Sequence, residues 1–219
     1  EGNSLKLAAE RTKTFWNRKL ILGGSPTIKG FSEIEREMSM SDQRRFLVPC
    51  PHCRKFQALK WSNVIWNKRE GRNHDVFGDN EPETARYLCD HCRREFSNAE
   101  KNRQLSRGHW EPTAEFTGTA GFFLWEGYSP FPKATFADIA AKFLEAKRRM
   151  ENGDYSLMIA FINTSLGETW EEKGERVDQV SLVSRVEAFE KSDLPDGILA
   201  ITCAVDVQDD RLEYEVVGW

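Results

Sequence analysis

Across residues 135–150 apolar side chains fall at Phe136, Ile139, Ala140, Phe143, Leu144 and Ala146. This spacing of three and four lines them along one face of a helix. Residues 155–166 read as a second helix broken by Gly167, residues 179–188 as a third, and residues 5–14 as a short one near the start. Ser32 with Glu35, and Ser97 with Glu100, have the spacing of capping boxes, which predicts helices over 32–39 and 97–106, the latter ended by Gly108. Apolar runs without helical period predict strands at 18–22, 45–48, 61–66 and 120–125. Residues 71–83, rich in Gly, Asn and Asp, read as a polar loop. A turn at 194–197 leads into a buried strand over 198–207, whose hairpin partner is 211–217, joined through Gln208, Asp209 and Asp210. No internal repeat or low-complexity tract stands out.

These elements form a globular chain of 219 residues, enough for one large domain or two small ones. Charged residues make up 30% and apolar ones 39%, and 14 Phe with 7 Trp supply the bulk for a core. No apolar run approaches the ~20 residues that cross a bilayer, and the first residues lack the basic-then-apolar layout of a signal peptide. The expectation is a soluble, cytosolic protein. The chain opens on Glu1 and closes inside the strand-like run 213–219. Both ends therefore read as cuts in a longer chain, since an unfinished strand leaves partners uncovered.

Net charge is -4, but its distribution is uneven. Residues 36–72 hold nine Lys/Arg against three Asp/Glu, residues 86–109 six against three, and residues 111–219 ten against twenty-one. The two basic stretches flank four cysteines. A basic face there either meets phosphates or is ordinary solvated surface.

Those four cysteines, Cys50, Cys53, Cys89 and Cys92, form two C-x2-C pairs with 35 residues between them. In a cytosolic chain disulfides are disfavoured, and two such pairs present four thiolates to one tetrahedral Zn(II). With all four ligands supplied by protein, that zinc has no open position and is structural. Arg54, Lys55, Arg93 and Arg94 follow the pairs and are expected to lower the thiol pKa values. His52 and His91, inside the pairs, are competing ligand candidates, and Cys203, in an apolar strand, reads as a small core residue.

Asp206 is a carboxylate in an otherwise apolar strand before a hairpin. Either it binds Mg(II) or Mn(II) with further acids, as in two-metal phosphodiester cleavage, or it caps the turn. Gly24, Ser25, Pro26 and Thr27 follow the run at 18–22 like a phosphate-sensing turn, yet no Walker A loop occurs in the chain.

In order, residues 18–30 (RKLILGGSPTIKG), 41–53 (SDQRRFLVPCPHC), 120–124 (AGFFL), 128–130 (YSP), 161–170 (FINTSLGETW) and 204–213 (AVDVQDDRLE) resemble the blocks of phage terminase large subunits of the GpA type. The resemblance implies a motor that uses ATP to pump double-stranded DNA into a procapsid and a Mg- or Mn-dependent endonuclease that cuts concatemers. It implies an α/β architecture: the end of a P-loop-type ATPase domain over 1–44, a zinc-knuckle module over 45–112, a strand and helical linker over 113–197, and the first hairpin of a ribonuclease-H-like nuclease over 198–219. Ser25 and Thr27 would belong to the ATPase coupling motif, although Gly24 stands where the family usually has Ser, and Asp206 would be the first nuclease metal ligand. Walker segments would lie before Glu1 and further nuclease acids after Trp219, leaving this piece inactive alone. Implied partners are the small terminase subunit, the capsid portal and further copies in a ring, working in the host cytoplasm and docking transiently on the procapsid. Two rival readings are a non-enzymatic zinc-ribbon protein binding DNA or a protein, and a transposase-like enzyme sharing the nuclease fold.

Overall fold

The computed structural model describes residues 4–171, 197–207 and 211–219. The chain divides into two compact units, Glu1–Glu172 and Lys173–Trp219. In the first, helix α1 (Ser4–Glu10) leads through turns to helix α2 (Glu33–Ser39). The strand expected at 18–22 does not form: Leu20, Ile21 and Leu22 are exposed, Ile21 at 90%, and no described strand pairs with the run. An apolar stretch without a ladder has nowhere to place its backbone donors and stays irregular. Ser32 caps α2 by accepting from the Glu35 N–H, but the Glu35 carboxylate reaches past the cap to the Gly30 N–H at 2.9 Å, so the expected reciprocal box is only half made.

Two small sheets carry the rest. In the first, β1 (Arg44–Pro49) lies between β2 (Phe56–Ala58) and β6 (His109–Glu111), both antiparallel, while β7 (Phe122–Phe123) pairs with its start in parallel. In the second, β4 (Asn80–Leu88) is central between β3 (Val64–Lys68) and β5 (Glu95–Phe96). The strand expected over 61–66 is split, since Trp61–Asn63 form a 3-10 turn before β3 begins. The loop expected over 71–83 is shorter, because residues 80–83 enter β4 and pair with β3. The expected strand over 120–125 shrinks to β7.

Helix α3 (Asn98–Leu105) carries the complete capping box of Ser97 and Glu100. Helix α4 (Phe136–Glu151) starts at a second complete box, Thr135 with Asp138. Phe136, Ile139, Ala140, Leu144 and Ala146 are buried as their spacing predicts, and α4 lies on β4 and β3. Complete burial of Phe136 and Ile139 is worth roughly 1.5–3 kcal/mol each. Trp61 packs edge-on to Phe143 and Phe161, each with ring centroids 5.3 Å away, so the cysteine-bearing sheets and the helices share one core. Helix α5 (Ser156–Ala160) continues into a π-helix, Phe161–Leu166, ended by Gly167 in a left-handed conformation (φ 67°).

Buried polar groups tie the sheets to this core. The Tyr128 hydroxyl accepts from the Leu59 N–H and donates to the Phe46 carbonyl, both at 2.7 Å, and burial pushes it up to about 12, so it stays a neutral donor. Lys101 is fully buried and donates to the carbonyls of Gly127 and Ser129 at 3.1 and 2.6 Å. Burial pulls its pKa down to about 8, while the two carbonyls and the Phe136 ring face favour the charged form.

The second unit shows a hairpin of β8 (Ile201–Val207) and β9 (Leu212–Gly218), with Asp206 opposite Glu213. The strand expected to be buried is exposed at every position, because among the described residues no second layer covers either face. Asp206 and Cys203 are accordingly exposed, contrary to the buried carboxylate and core thiol expected from an apolar run. The helix expected at 179–188, most of the turn at 194–197 and the hairpin tip at 208–210 lie outside the described residues.

Candidate metal centre

The four knuckle cysteines converge. Their sulfur atoms all lie within 4.8 Å of one another, with Cys50 to Cys92 at 3.8 Å and Cys53 to Cys89 at 3.9 Å. A tetrahedron with metal-sulfur bonds of ~2.3 Å has edges of about 3.8 Å. All four are free thiols. The donor set and its spacing therefore fit one tetrahedral ion of zinc type.

Each pair sits in the same turn. Cys50 donates its N–H to the Lys55 carbonyl at 2.9 Å and accepts at its own carbonyl from Arg54 at 3.0 Å; Cys89 does the same with Arg94 and Arg93, at 3.0 and 3.2 Å. Arg54 and Arg93 hold the left-handed conformation that closes the turn, at φ 62° and 56°. The N–H groups of His52 and His91 point at the Cys50 and Cys89 sulfur atoms, both at 3.4 Å. The knuckles are thus a local repeat, Cys-x-His-Cys-Arg followed by a basic residue, which the repeat-free reading of the chain missed.

The histidines are not ligands here. His52 Nε2 meets the Glu95 carbonyl beyond the second knuckle at 2.9 Å, and His91 Nε2 meets the Phe56 carbonyl beyond the first at 3.1 Å. Each ring crosses to the opposite knuckle and braces it, a role signalled in sequence only by its recurrence at the same position of both pairs. Behind the second knuckle, Asn63 and Lys60 hold the Asp90 carboxyl below the usual carboxylate range, at 2.6 and 3.0 Å, and Gln57 accepts the Asp90 N–H at 2.9 Å.

Burial pushes the Cys50 thiol up to about 12 against the N–H groups of Cys53 and His52. At Cys89 burial acts in the same sense, but the N–H groups of Cys92 and His91, with the Cys50 and Cys92 thiols, outweigh it and bring the group down to about 6. The four thiols are close enough to titrate as a set. In both knuckles turn N–H groups act to lower the thiol pKa.

The other candidates lie elsewhere. Ser25 and Thr27 are exposed and line an open depression of ≈ 570 Å³ with Leu22, Phe31 and Ser32. Thr27 donates its N–H to Ser32 Oγ at 3.2 Å and accepts from the Trp170 N–H at 2.8 Å, while the Lys29 N–H donates to the Trp170 carbonyl at 2.9 Å. Asp206 belongs to the second unit.

Set beside known families, residues 1–110 match the phage terminase large subunit gpA ATPase domain, and residues 119–219 match the terminase large subunit gpA endonuclease domain. The chain belongs to the phage terminase large-subunit family. It is 32% identical to a terminase large subunit of Enterobacteria phage P21 and 31% identical to one of Escherichia phage lambda, in each case over 100% of this chain and 35% of the relative. It spans about a third of the length of these terminases. No solved structure matches. Within the terminase chain the four cysteines lie in the ATPase-domain match and Asp206 in the endonuclease-domain match, and the bridge of Ile28 to Trp170 joins the two matched segments.

Proposed function

We propose that this chain is the central piece of a terminase large subunit that uses ATP hydrolysis to drive double-stranded DNA into a procapsid and a metal-dependent nuclease to cut concatemers. The observation that carries the reading is the order of the two matches, ATPase domain over 1–110 and endonuclease domain over 119–219, on one continuous chain. A non-enzymatic zinc-ribbon protein would account for the cysteines and leave that order unexplained. The parts are assigned as the end of a P-loop-type ATPase domain (1–44), a zinc module (45–112), a linker (113–197) and the start of a ribonuclease-H-like nuclease (198–219).

Cys50, Cys53, Cys89 and Cys92 hold one structural zinc, which ties two turns 35 residues apart in sequence. Ser25 and Thr27 belong to the segment that couples ATP hydrolysis to movement; their support is the backbone tie from Thr27 and Lys29 to Trp170. Asp206 is the first carboxylate ligand of the Mg(II) or Mn(II) nuclease site; its support is its place near the end of β8, opposite Glu213, within the endonuclease-domain match. The working partners are the small subunit, the capsid portal and other copies in a ring, in the host cytoplasm.

In the whole terminase, Asp206→Asn is expected to lower Mg-dependent DNA cutting by about 100-fold or more, the scale on which one transition-state-stabilising group acts, with ATPase turnover kept. Cleavage of a concatemer and phosphate release, assayed on one preparation, check this. Retained cutting would remove Asp206 from the site.

A further inference from the structure

The basic character of the cysteine region divides, in the structure, into cations that are used and cations that are not. Arg44 pairs with Asp42, Lys60 with Asp90, Arg69 and Arg72 with Glu81, Arg72 also with Glu83, and Arg86 with Glu95. Arg45 stacks over Phe123 at 4.2 Å, and Lys101 is buried on carbonyls. Among the described residues, Arg54, Lys55, Lys68, Arg93, Arg94, Arg103 and Arg107 are exposed and form no ion pair with a carboxylate, and four of these, Arg54, Lys55, Arg93 and Arg94, belong to the knuckles.

These four are related by the same repeat that relates the cysteines. Arg54 and Lys55 follow Cys53, Arg93 and Arg94 follow Cys92, and both knuckles close on one sulfur cluster. The cations therefore come as two matched pairs, one in each of the two turns that meet at the sulfur cluster. Between the ligands each turn shows only Pro51 with His52, or Asp90 with His91. Beyond them the exposed Phe56 ring is packed edge-on against His109, and the surface is otherwise polar and carries the four cations, the character of nucleic-acid interfaces.

We propose that Arg54, Lys55, Arg93 and Arg94 form a phosphate-binding surface on which the zinc module grips the backbone of duplex DNA without reading its sequence. Guanidinium groups chelate phosphate oxygens through paired N–H donors, and a duplex offers phosphates in rows. The zinc then serves DNA binding as well as stability, holding two cation pairs at a fixed separation. The inference rests on the metal reading of the four cysteines.

The test uses the zinc-loaded 219-residue chain and a labelled duplex of about 24 base pairs, with affinity followed by fluorescence anisotropy between about 50 and 200 mM KCl. Lys55→Ser with Arg94→Ser leaves the left-handed turn positions untouched, and adding Arg54→Asn with Arg93→Asn uses a residue that accepts that conformation. For every phosphate the variant no longer neutralises, the slope of log affinity against log salt is expected to fall by about 0.9, and the affinity at about 100 mM salt by about eightfold. Substitution of Lys68, an exposed cation at the end of the β3–β4 pair remote from the second knuckle, is expected to leave the slope unchanged. Zinc content is measured on every sample. One zinc per chain with an unaltered slope overturns the DNA surface alone, while absence of zinc overturns the metal reading beneath it. Unchanged DNA binding with loss of an acidic protein partner would also overturn the proposal, in favour of a docking site.

Discussion

At the scale of single residues, the four thiols are equivalent in type and unequal in surroundings. Cys50 and Cys89 are buried at 1% and 0% exposure, whereas Cys53 and Cys92 reach the surface. In the proposed zinc site, replacing Cys89 would leave three thiolates around an ion that takes four and place a weaker oxygen donor in a buried turn. Cys89→Ser is expected to lose bound zinc and to become sensitive to protease between 45 and 112, measured by elemental analysis and timed digestion; an intact digestion pattern would refute it. The cysteines were legible in the sequence because ligand spacing in a turn is a local property. The histidine braces were not, because each ring's partner lies across the fold, at Glu95 for His52 and Phe56 for His91. Asp206 and Cys203 were misplaced for a related reason: apolar neighbours imply burial only when another layer arrives to cover them.

At the scale of elements, the long periodic helix and the Ser97 cap formed where expected, the Ser32 box closed only by half, and short ladders did not announce themselves. Helix α4 had sixteen residues in which to display its face, and the boxes at Ser97 and Thr135 fixed the starts of α3 and α4. Thr135→Ala removes the acceptor of the Asp138 N–H and the partner of the Asp138 carboxylate, and is expected to cost ~1 kcal/mol in urea unfolding. An unchanged midpoint would place the start of α4 under the control of Phe136 burial instead. Strands β2, β5, β6 and β7 run two or three residues each, too few to establish alternation, and exist because β1 and β4 supply edges for them. The run at 18–22 had the composition of a strand and no edge to join among the described residues. Close approach fixes Gly121 at the β7 end, where a Cβ would fall 1.9 Å from Ser41 Oγ.

At the scale of the whole molecule, the metal turns and the aromatic core form one system. Trp61, in the turn before β3, and Trp66, on β3 of the second knuckle's sheet, pack on Phe143 of α4 and, through Trp61, on Phe161 of the π-helix. Stripping zinc with a chelator is therefore expected to loosen this core, lowering the thermal midpoint of tryptophan fluorescence by about 10 °C or more, the shift given by several kcal/mol of forfeited metal binding. A midpoint indifferent to chelation would separate core from metal. The sequence by itself determined what neighbours along the chain can encode: the C-x2-C turns, the capped helices, the amphipathic face of α4, and the ordered blocks that place this chain among terminases. Tertiary structure alone decided what depends on residues far apart meeting: that four sulfur atoms converge at a spacing that fits one tetrahedral ion, that the histidines cross over, and which basic side chains, those of the knuckles among them, are left without a carboxylate. Spacing is written in the chain, but neutralisation and burial are properties of a surface that exists only once the chain has folded.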